Sequence, residues 1–254
     1  MAHVQAPVSL EHPLVEHLLT LMDRKHHWAY PALTRAGLSR QQLLVHFRHE
    51  YLVYVRDFPV LLARALGNVP PIDEVRRALA ENLYEEQTGG LSKTGPHPAL
   101  FLKMMRGLGY EASEFAEDGQ PLHPAALEYR AFLQRESTSL PWQAAVALLT
   151  IFLEGSANER AELAGTYVRR KGDALTLQHP LVQFYGCPPE AMVLTRAHAL
   201  VEGDHRSDAW SMVLSNTVPG SKVEARVHAV CAEALTLWMR YRDGVAERMG
   251  LART

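Results

Sequence analysis

Residues 141–157 read PWQAAVALLTIFLEGSA, and this stretch decides the fold. Apolar residues fall on every face of the helix that it predicts, and Glu154 is its only ionisable residue. A helix that is apolar all round is buried inside a protein. We therefore predict a helical core with this segment near its centre. Glu154 either lies at the wet end of the helix or is buried beside a cation or a proton.

Outside this stretch, apolar residues recur at helical spacing along nearly the whole chain. Ser39 is predicted to cap a long helix, which Pro59 kinks rather than ends. Gly89 and Gly90 follow the end of the next helix. Such glycine and proline breaks are typical of the connections within one helical bundle. We predict a single all-α domain over residues 1–254, with helices at 39–68, 70–87, 98–109, 123–137, 141–170, 191–216 and 221–250.

The composition narrows the class of protein. Hydrophobic residues make up 47% of the 254 residues, which is enough for a sizeable core. The 26 Lys and Arg residues nearly balance the 28 Asp and Glu residues, so we expect no nucleic-acid partner. The most apolar window spans about 10 residues, whereas a membrane helix needs roughly 20. Because Cys187 and Cys231 are far apart and the N-terminus has no secretory pattern, we expect a cytoplasmic protein without a membrane partner.

Residues 198–205 read HALVEGDH and contain the spacing H-x3-E-x2-H. At about 100° per residue, His198, Glu202 and His205 point within roughly 60° of one another on a helix. Leu194 and Val201 lie on or beside the same sector, so the three polar side chains are predicted to face the core. The alternative is the solvated edge of an amphipathic helix. Three convergent ligand-type side chains on an apolar face favour a bound metal, because unpaired charges rarely stay buried.

A second candidate carboxylate lies in residues 75–86, VRRALAENLYEE. Val75 and Leu79 define an apolar face, and Glu86 lies about 20° from them at helical spacing. Glu86 is therefore predicted to point inward. Glu85 lies about 100° round the helix and Glu81 further still. We expect both of these to face solvent or to pair with arginines of the same helix.

His97 follows in GPHPALF, where a neighbouring proline opens a new helix. With it, the inward-facing set contains three carboxylates and three imidazoles from separate helices. These are the ligand types that iron and manganese take in helical bundles, whereas zinc uses a smaller, tetrahedral set. The predicted metal ligands are Glu86, His97, Glu154, His198, Glu202 and His205.

The segments ENLYEEQTGG (81–90) and HPALF (97–101), followed by the late H-x3-E-x2-H, together resemble one known family. This is the family of haem-oxygenase-like diiron oxidases and oxygenases, related to pyrroloquinoline-quinone synthase C and to TenA-type thiaminases. The resemblance implies a single haem-oxygenase-like bundle of about seven helices over nearly the whole chain.

The resemblance also implies two iron ions, or manganese in their place. Many family members carry aspartate where this chain has Glu202, and Glu81 or Glu85 can replace Glu86 as the first ligand. Glu154 and Glu202 are the ligands expected to take part in catalysis. The implied set is Glu86 and His97 as the first pair, Glu154 as a bridging carboxylate, and His198, Glu202 and His205 as the late ligands.

The implied activity is that of a non-haem diiron oxidase or oxygenase. It would use O2 to oxidise a small biosynthetic substrate such as an amino acid, a fatty acid or another carboxylate. O2 and this substrate are the expected partners, and a second copy of the chain is the candidate protein partner. A carboxylate substrate would need a basic clamp. The candidate substrate-binding residues are the aromatic Tyr51, Tyr54 and Phe58, which otherwise pack in the core, and the basic Arg48, Arg56, Arg169, Arg170 and Lys171.

Three other functions stay open. A cofactor-free oxidase like pyrroloquinoline-quinone synthase C would use histidines to move protons, but it would have more inward arginines and fewer inward glutamates. A thiaminase-like hydrolase would need a cysteine nucleophile, and neither Cys187 nor Cys231 has an evident base beside it. A non-catalytic helical protein would bind metal without consuming O2.

Overall fold

The computed structural model of the protein describes residues 8–167 and 172–253, apart from the side chains of residues 202–205. Every regular element in these ranges is helical, so the predicted all-α fold is confirmed. The helices are more numerous than predicted because several long ones are interrupted. They are α1 (Pro13–Asp23), α2 (Tyr30–Leu33), α3 (Arg40–Glu50), α4 (Phe58–Asn68), α5 (Asp73–Thr88), α6 (His97–Gly107), α7 (Pro124–Glu136), α8 (Trp142–Val146), α9 (Glu159–Leu163), α10 (Asp173–Leu177), α11 (Pro180–Tyr185), α12 (Val193–Leu214) and α13 (Lys222–Arg248).

The apolar stretch that follows Pro141 forms the buried centre of the bundle. Helix α8 continues directly into a π-helical segment, Ala147–Leu153. Residues 144–149 have no solvent-accessible surface. Helices α4, α12 and α13 pack around this rod. The burial predicted for the segment is therefore confirmed.

The predicted helix over 141–170 is wrong beyond Leu153, because the chain turns sharply at Gly155. A Cβ added to Gly155 would lie 2.2 Å from the carbonyl oxygen of Ile151 and 2.6 Å from the side chain of Met22. Only glycine allows this close approach. The rod therefore ends beside Glu154, and the short helix α9 follows.

The helix predicted over 39–68 is broken into separate segments and not only kinked at Pro59. Ser39 caps α3 as predicted, since its hydroxyl accepts the Gln42 N–H at 3.2 Å. Helix α3 then runs into a second π-helical segment, Tyr51–Val55, and a turn at residues 56–57 precedes α4. Pro59 has no N–H for the carbonyl four residues earlier, so the helix restarts with Pro59 in its first turn.

Helix α1 is absent from the sequence-based predictions. It begins at Pro13, where the His12 imidazole accepts the N–H of Leu14 at 3.2 Å. Its apolar face packs against α13, and it also contacts α9. The N-terminal helix thus lies against the chain that follows the central rod.

Two features bear on the expectations from composition. Cys187 and Cys231 are both free thiols, and both are buried. Within the described ranges, none of the helices combines the length and the apolar character needed to cross a bilayer.

His49 is held in the core as a neutral imidazole. Its Nε2 accepts the backbone N–H of His123 at 3.0 Å, so Nδ1 carries the proton and donates to the Val45 carbonyl at 2.7 Å. Burial lowers the pKa of His49 to about 4, and the charges of Arg48 and Arg248 act in the same direction. Protonation of Nε2 would break the bond from His123.

Acidification is expected to destabilise the fold through His49. Its pKa is about 4 in the folded protein and near 6.5 in an unfolded chain, so the unfolded state binds the extra proton between these values. This stabilisation is fully present above about pH 6.5 and is lost as the pH falls toward 4, by up to roughly 3 kcal/mol. Urea unfolding across this range measures the change.

The variant His49→Gln should show a flatter dependence of unfolding free energy on pH than the wild type. The exposed His26 offers a matched control, and His26→Gln should follow the wild type. Identical pH slopes for all three proteins would contradict the prediction.

Candidate metal centre

The loop between α5 and α6 brings His97 beside Glu85 and Glu86. Helix α5 ends at Gly89, whose φ of 65° is in the left-handed region that favours glycine. A Cβ there would lie 2.3 Å from the backbone nitrogen of Gly95. The loop folds back on itself at this point, and His97 begins α6 beside Glu85 and Glu86 of the last turn of α5.

Glu85 is fully buried, so the prediction that it faces solvent is wrong. Its Oε2 accepts the backbone N–H groups of Leu91 at 2.8 Å and Ser92 at 3.0 Å, and its Oε1 lies 3.1 Å from His97 Nε2. Burial alone would raise the pKa of Glu85, but these hydrogen bonds lower it below its usual value. Helical spacing alone could not predict this burial, because Glu85 is covered by the loop that contains Leu91 and Ser92. Glu81 is exposed, as predicted.

His97 is buried and has a carboxylate on each side. Its Nδ1 lies 2.8 Å from Glu86 Oε1, yet the two atoms do not have the geometry of a hydrogen bond. This nitrogen is therefore a buried polar atom without a hydrogen-bond partner, directed at the same space as a carboxylate oxygen. Two donor atoms arranged in this way fit a shared cation.

His198 of α12 completes a group of three possible ligands. The ring centroids of His97 and His198 are 4.9 Å apart. One donor atom each from Glu86, His97 and His198 lies within 4.8 Å of the others. The group draws on α5, α6 and α12, and it contains no sulfur ligand. Carboxylate and imidazole donors of this kind suit iron or manganese.

Glu154 lies at the end of the central rod and faces the cavity that Glu86, His97 and His198 also line. By its accessible surface Glu154 is exposed, which agrees with the predicted alternative of a wet helix end, and it lines the cavity at the same time. Asn82 donates to both of its carboxylate oxygens, at 3.1 and 3.2 Å. Surrounding protein atoms and the negative charge of Glu86 raise the pKa of Glu154 well above its usual value, against the effect of Asn82. A cation between the two carboxylates would relieve this cost.

The other two predicted ligands are only partly accounted for. Positions 202 and 205 lie in the helical backbone of α12, like His198. The side chains of Glu202 and His205 lie outside the described part of the protein, so their predicted roles as ligands, and the catalytic role of Glu202, stay predictions.

A cavity of about 240 Å³ lies at this site, and its walls are mostly apolar. Both π-helical segments contribute to it. Tyr54 and Phe58 line it, and the Tyr54 hydroxyl donates to Glu50 at 2.7 Å. Tyr51 lies in the aromatic core instead, stacked on Phe101 with centroids 5.5 Å apart. The apolar lining residues are Val55, Phe58, Leu153, Leu194 and Val201.

Two of the bases predicted as substrate clamps, Arg48 and Arg56, do not line the cavity. Arg48 donates to the backbone carbonyl of Ala116 at 2.8 Å, which ties down a surface segment. Arg56 pairs with its neighbour Asp57 at 2.8 Å. Three further candidates lie outside the described residues: Arg169, Arg170 and Lys171.

Two lining residues were missed by sequence reasoning. Glu159 is 2% exposed, accepts a hydrogen bond from Trp210 Nε1 at 3.0 Å and forms an ion pair with Arg206 Nε at 3.1 Å. Burial raises the pKa of Glu159, although Arg206 acts against this. Arg206 also pairs with Glu162. Arg206 lies about 80° round α12 from His198 at helical spacing, which was a usable signal in the sequence.

Comparison with known proteins gives three results. Residues 45–239 match the model of a family described as iron-containing redox enzymes. No curated protein matches the chain. A solved structure of a TenA homologue from Pseudomonas syringae pv. tomato str. DC3000 aligns with 92% of this chain and 91% of its own, at a TM-score of 0.68 and 16% identity. The common fold confirms the expected haem-oxygenase-like class.

Replacement of Glu85 is expected to weaken metal binding. Glu85 holds Nε2 of His97, which leaves Nδ1 directed at Glu86. In Glu85→Gln the side-chain amide can donate to Nε2 and shift the proton to Nδ1. Loss of such a supporting carboxylate lowers metal affinity by about 10- to 100-fold. Anaerobic titration with Fe(II) measures the change. The exposed Glu81→Gln on the same helix is the matched control, and equal affinities for both variants would contradict the assigned role.

Proposed function

The chain belongs to the family of iron-containing redox enzymes, and from this premise we propose that it is a non-haem diiron enzyme that uses O2 to oxidise a small substrate. The observation that carries the proposal is the convergence of Glu86, His97 and His198 within 4.8 Å, at a cavity that Glu154 also lines. A buried imidazole nitrogen without a hydrogen-bond partner points into the same group.

The donor set fits iron. Glu86, His97 and His198 would hold one ion, and Glu154 would hold the second together with Glu202 and His205. Carboxylates stabilise the ferric state, and manganese accepts the same ligands. Iron, when bound, supplies the activation of O2. The absence of cysteine from the described group argues against a zinc–thiolate or iron–sulfur site.

The chain's own residues prepare the site. Glu85 fixes the orientation of the His97 ring, and Asn82 holds both oxygens of Glu154 toward the cavity. The apolar walls contributed by residues such as Phe58 and Leu194 limit access of water, which protects a reactive oxidant. Because the pKa of Glu154 is raised above its usual value, metal binding there competes with protonation.

The cavity indicates a compact substrate. At about 240 Å³ it is smaller than the roughly 300–1,000 Å³ of a typical drug-sized site. Its walls suit an apolar body, and the Arg206 guanidinium suits a carboxylate, as in an amino acid. O2 and such a substrate are the proposed partners. A second copy of the chain as a partner and a cytoplasmic location stay predictions from the sequence.

A thiaminase-like hydrolase is the second candidate, since the fold is common to a TenA homologue. That reaction would need a cysteine nucleophile at the cavity. Burial raises the pKa of Cys187 to about 11 and that of Cys231 to about 12, and neither residue lines the cavity in the described structure. These observations favour the oxidase.

Anaerobic reconstitution tests the proposed function. The wild type should bind two equivalents of Fe(II) and then consume O2 faster than the same concentration of free Fe(II). His97→Ala should bind fewer equivalents, whereas His26→Ala, which removes an exposed imidazole, should behave as the wild type. Failure of the wild type to bind Fe(II), or an O2 consumption no faster than that of free Fe(II), would overturn the proposal.

Arg206 is expected to recognise a carboxylate. Nε and Nη1 of Arg206 already pair with Glu159 and Glu162, so a substrate carboxylate would use the remaining N–H groups of the guanidinium. Lysine keeps the positive charge but cannot serve all of these partners at once, so Arg206→Lys should bind carboxylate ligands about tenfold more weakly. A calorimetric screen of small amino acids and their amides measures this difference. The amides should bind both proteins equally, and equal binding of the acids to both proteins would remove Arg206 from the site.

A further inference from the structure

Lys25 binds the backbone of the corner that carries Glu154. Lys25 follows α1 and is 7% exposed. Its Nζ donates to the carbonyl oxygen of Phe152 at 2.6 Å and to that of Gly155 at 2.8 Å. These two carbonyls lie on either side of Glu154 along the chain. A single ammonium group therefore bridges the end of the central rod and the turn after it.

The last carbonyl groups of a helix lack partners within the helix. Here the buried amino group of Lys25, whose pKa burial lowers to about 7, donates to two such carbonyls, and the ring centroids of Phe152 and Trp238 lie 4.8 and 5.9 Å from Nζ. Removing an ammonium from water is costly unless it is well paired. An apolar side chain would fill the same space without this cost but would leave both carbonyls without a donor.

Helix α1 also holds the chain beyond this corner. The Met22 side chain packs against Gly155, where any Cβ would collide with it. Arg160 of α9 pairs with Glu16 at 2.6 Å and with Asp23 at 2.8 Å. The segment between the central rod and α9 is thus fixed to α1 at both of its ends. Lys25 and α1 lie before residue 45, where the match to the family begins.

We propose that Lys25 is a positioning residue for Glu154, whose carboxylate it keeps turned toward Asn82 and the metal cavity by fixing the Phe152 and Gly155 carbonyls. The inference rests on the proposed diiron function for its consequence in metal binding. Lys25 does not touch the metal or the substrate. Its effect reaches the site through the backbone on both sides of Glu154.

Two variants and one control test this role. Lys25→Met should weaken binding of the second equivalent of Fe(II) at least tenfold and leave the first within about twofold, because the hydrogen bonds of Lys25 are made to the backbone on either side of Glu154. Lys25→Arg should recover part of the loss, since its guanidinium can donate to both carbonyls. Leu19→Ala also disturbs α1 by removing a buried side chain, and it should lower stability without changing either affinity.

Hydrogen exchange of the metal-free proteins gives a second readout. Residues 153–158 should exchange faster in Lys25→Met than in the wild type or in Leu19→Ala. A wild type that binds fewer than two equivalents would overturn the diiron function and leave the exchange result to decide the role of Lys25. Unchanged second-site affinity in Lys25→Met, an equal loss in Leu19→Ala, or unchanged exchange would each overturn the inference.

Discussion

Two carboxylates that face one cavity impose the constraint on which the rest of this structure depends. Glu86 and Glu154 come from different parts of the chain, and the negative charge of Glu86 adds to the burial that raises the pKa of Glu154. The hydrogen bonds from Asn82 offset part of that effect on Glu154. A cation bound beside Nδ1 of His97, which has no hydrogen-bond partner, would offset the remainder. A folded chain keeps two such carboxylates together only where other contacts fix the backbone. The α5–α6 loop, the central rod and α1 supply those contacts, so they are part of the site although they do not all line it.

The two π-helical segments explain why a densely packed bundle contains a cavity at all. An α-helix of regular pitch packs closely against its neighbours, whereas a π-helical turn is wider and re-aims the side chains that follow. Tyr51–Val55 and Ala147–Leu153 both border the cavity, and Glu154 directly follows the second. The backbone N–H of Glu154 bonds the carbonyl of Leu149, five residues back, which rotates its carboxylate relative to an ordinary helix.

Local rules predicted much of the fold and part of the site. The Ser39 cap, the end of α5 at Gly89 and the burial of the central rod depend on residues close in the chain, and all three are confirmed. Glu85 was misjudged because its burial is caused by a loop that folds back over the helix. The helix over 141–170 was extended too far because the turn at Gly155 depends on contact with Met22. Long-range contacts of this kind have no periodic signature, and Lys25 and Glu159 were missed for the same reason.

The contacts of Lys25 also carry a consequence for how the protein assembles. They join residues 127 and 130 positions apart, so the entropy of closing a very long loop must be overcome before they form. We infer that this corner closes late, after the local helices and the core have formed. Iron would then meet a finished scaffold, unlike zinc in small domains that are unfolded without their metal.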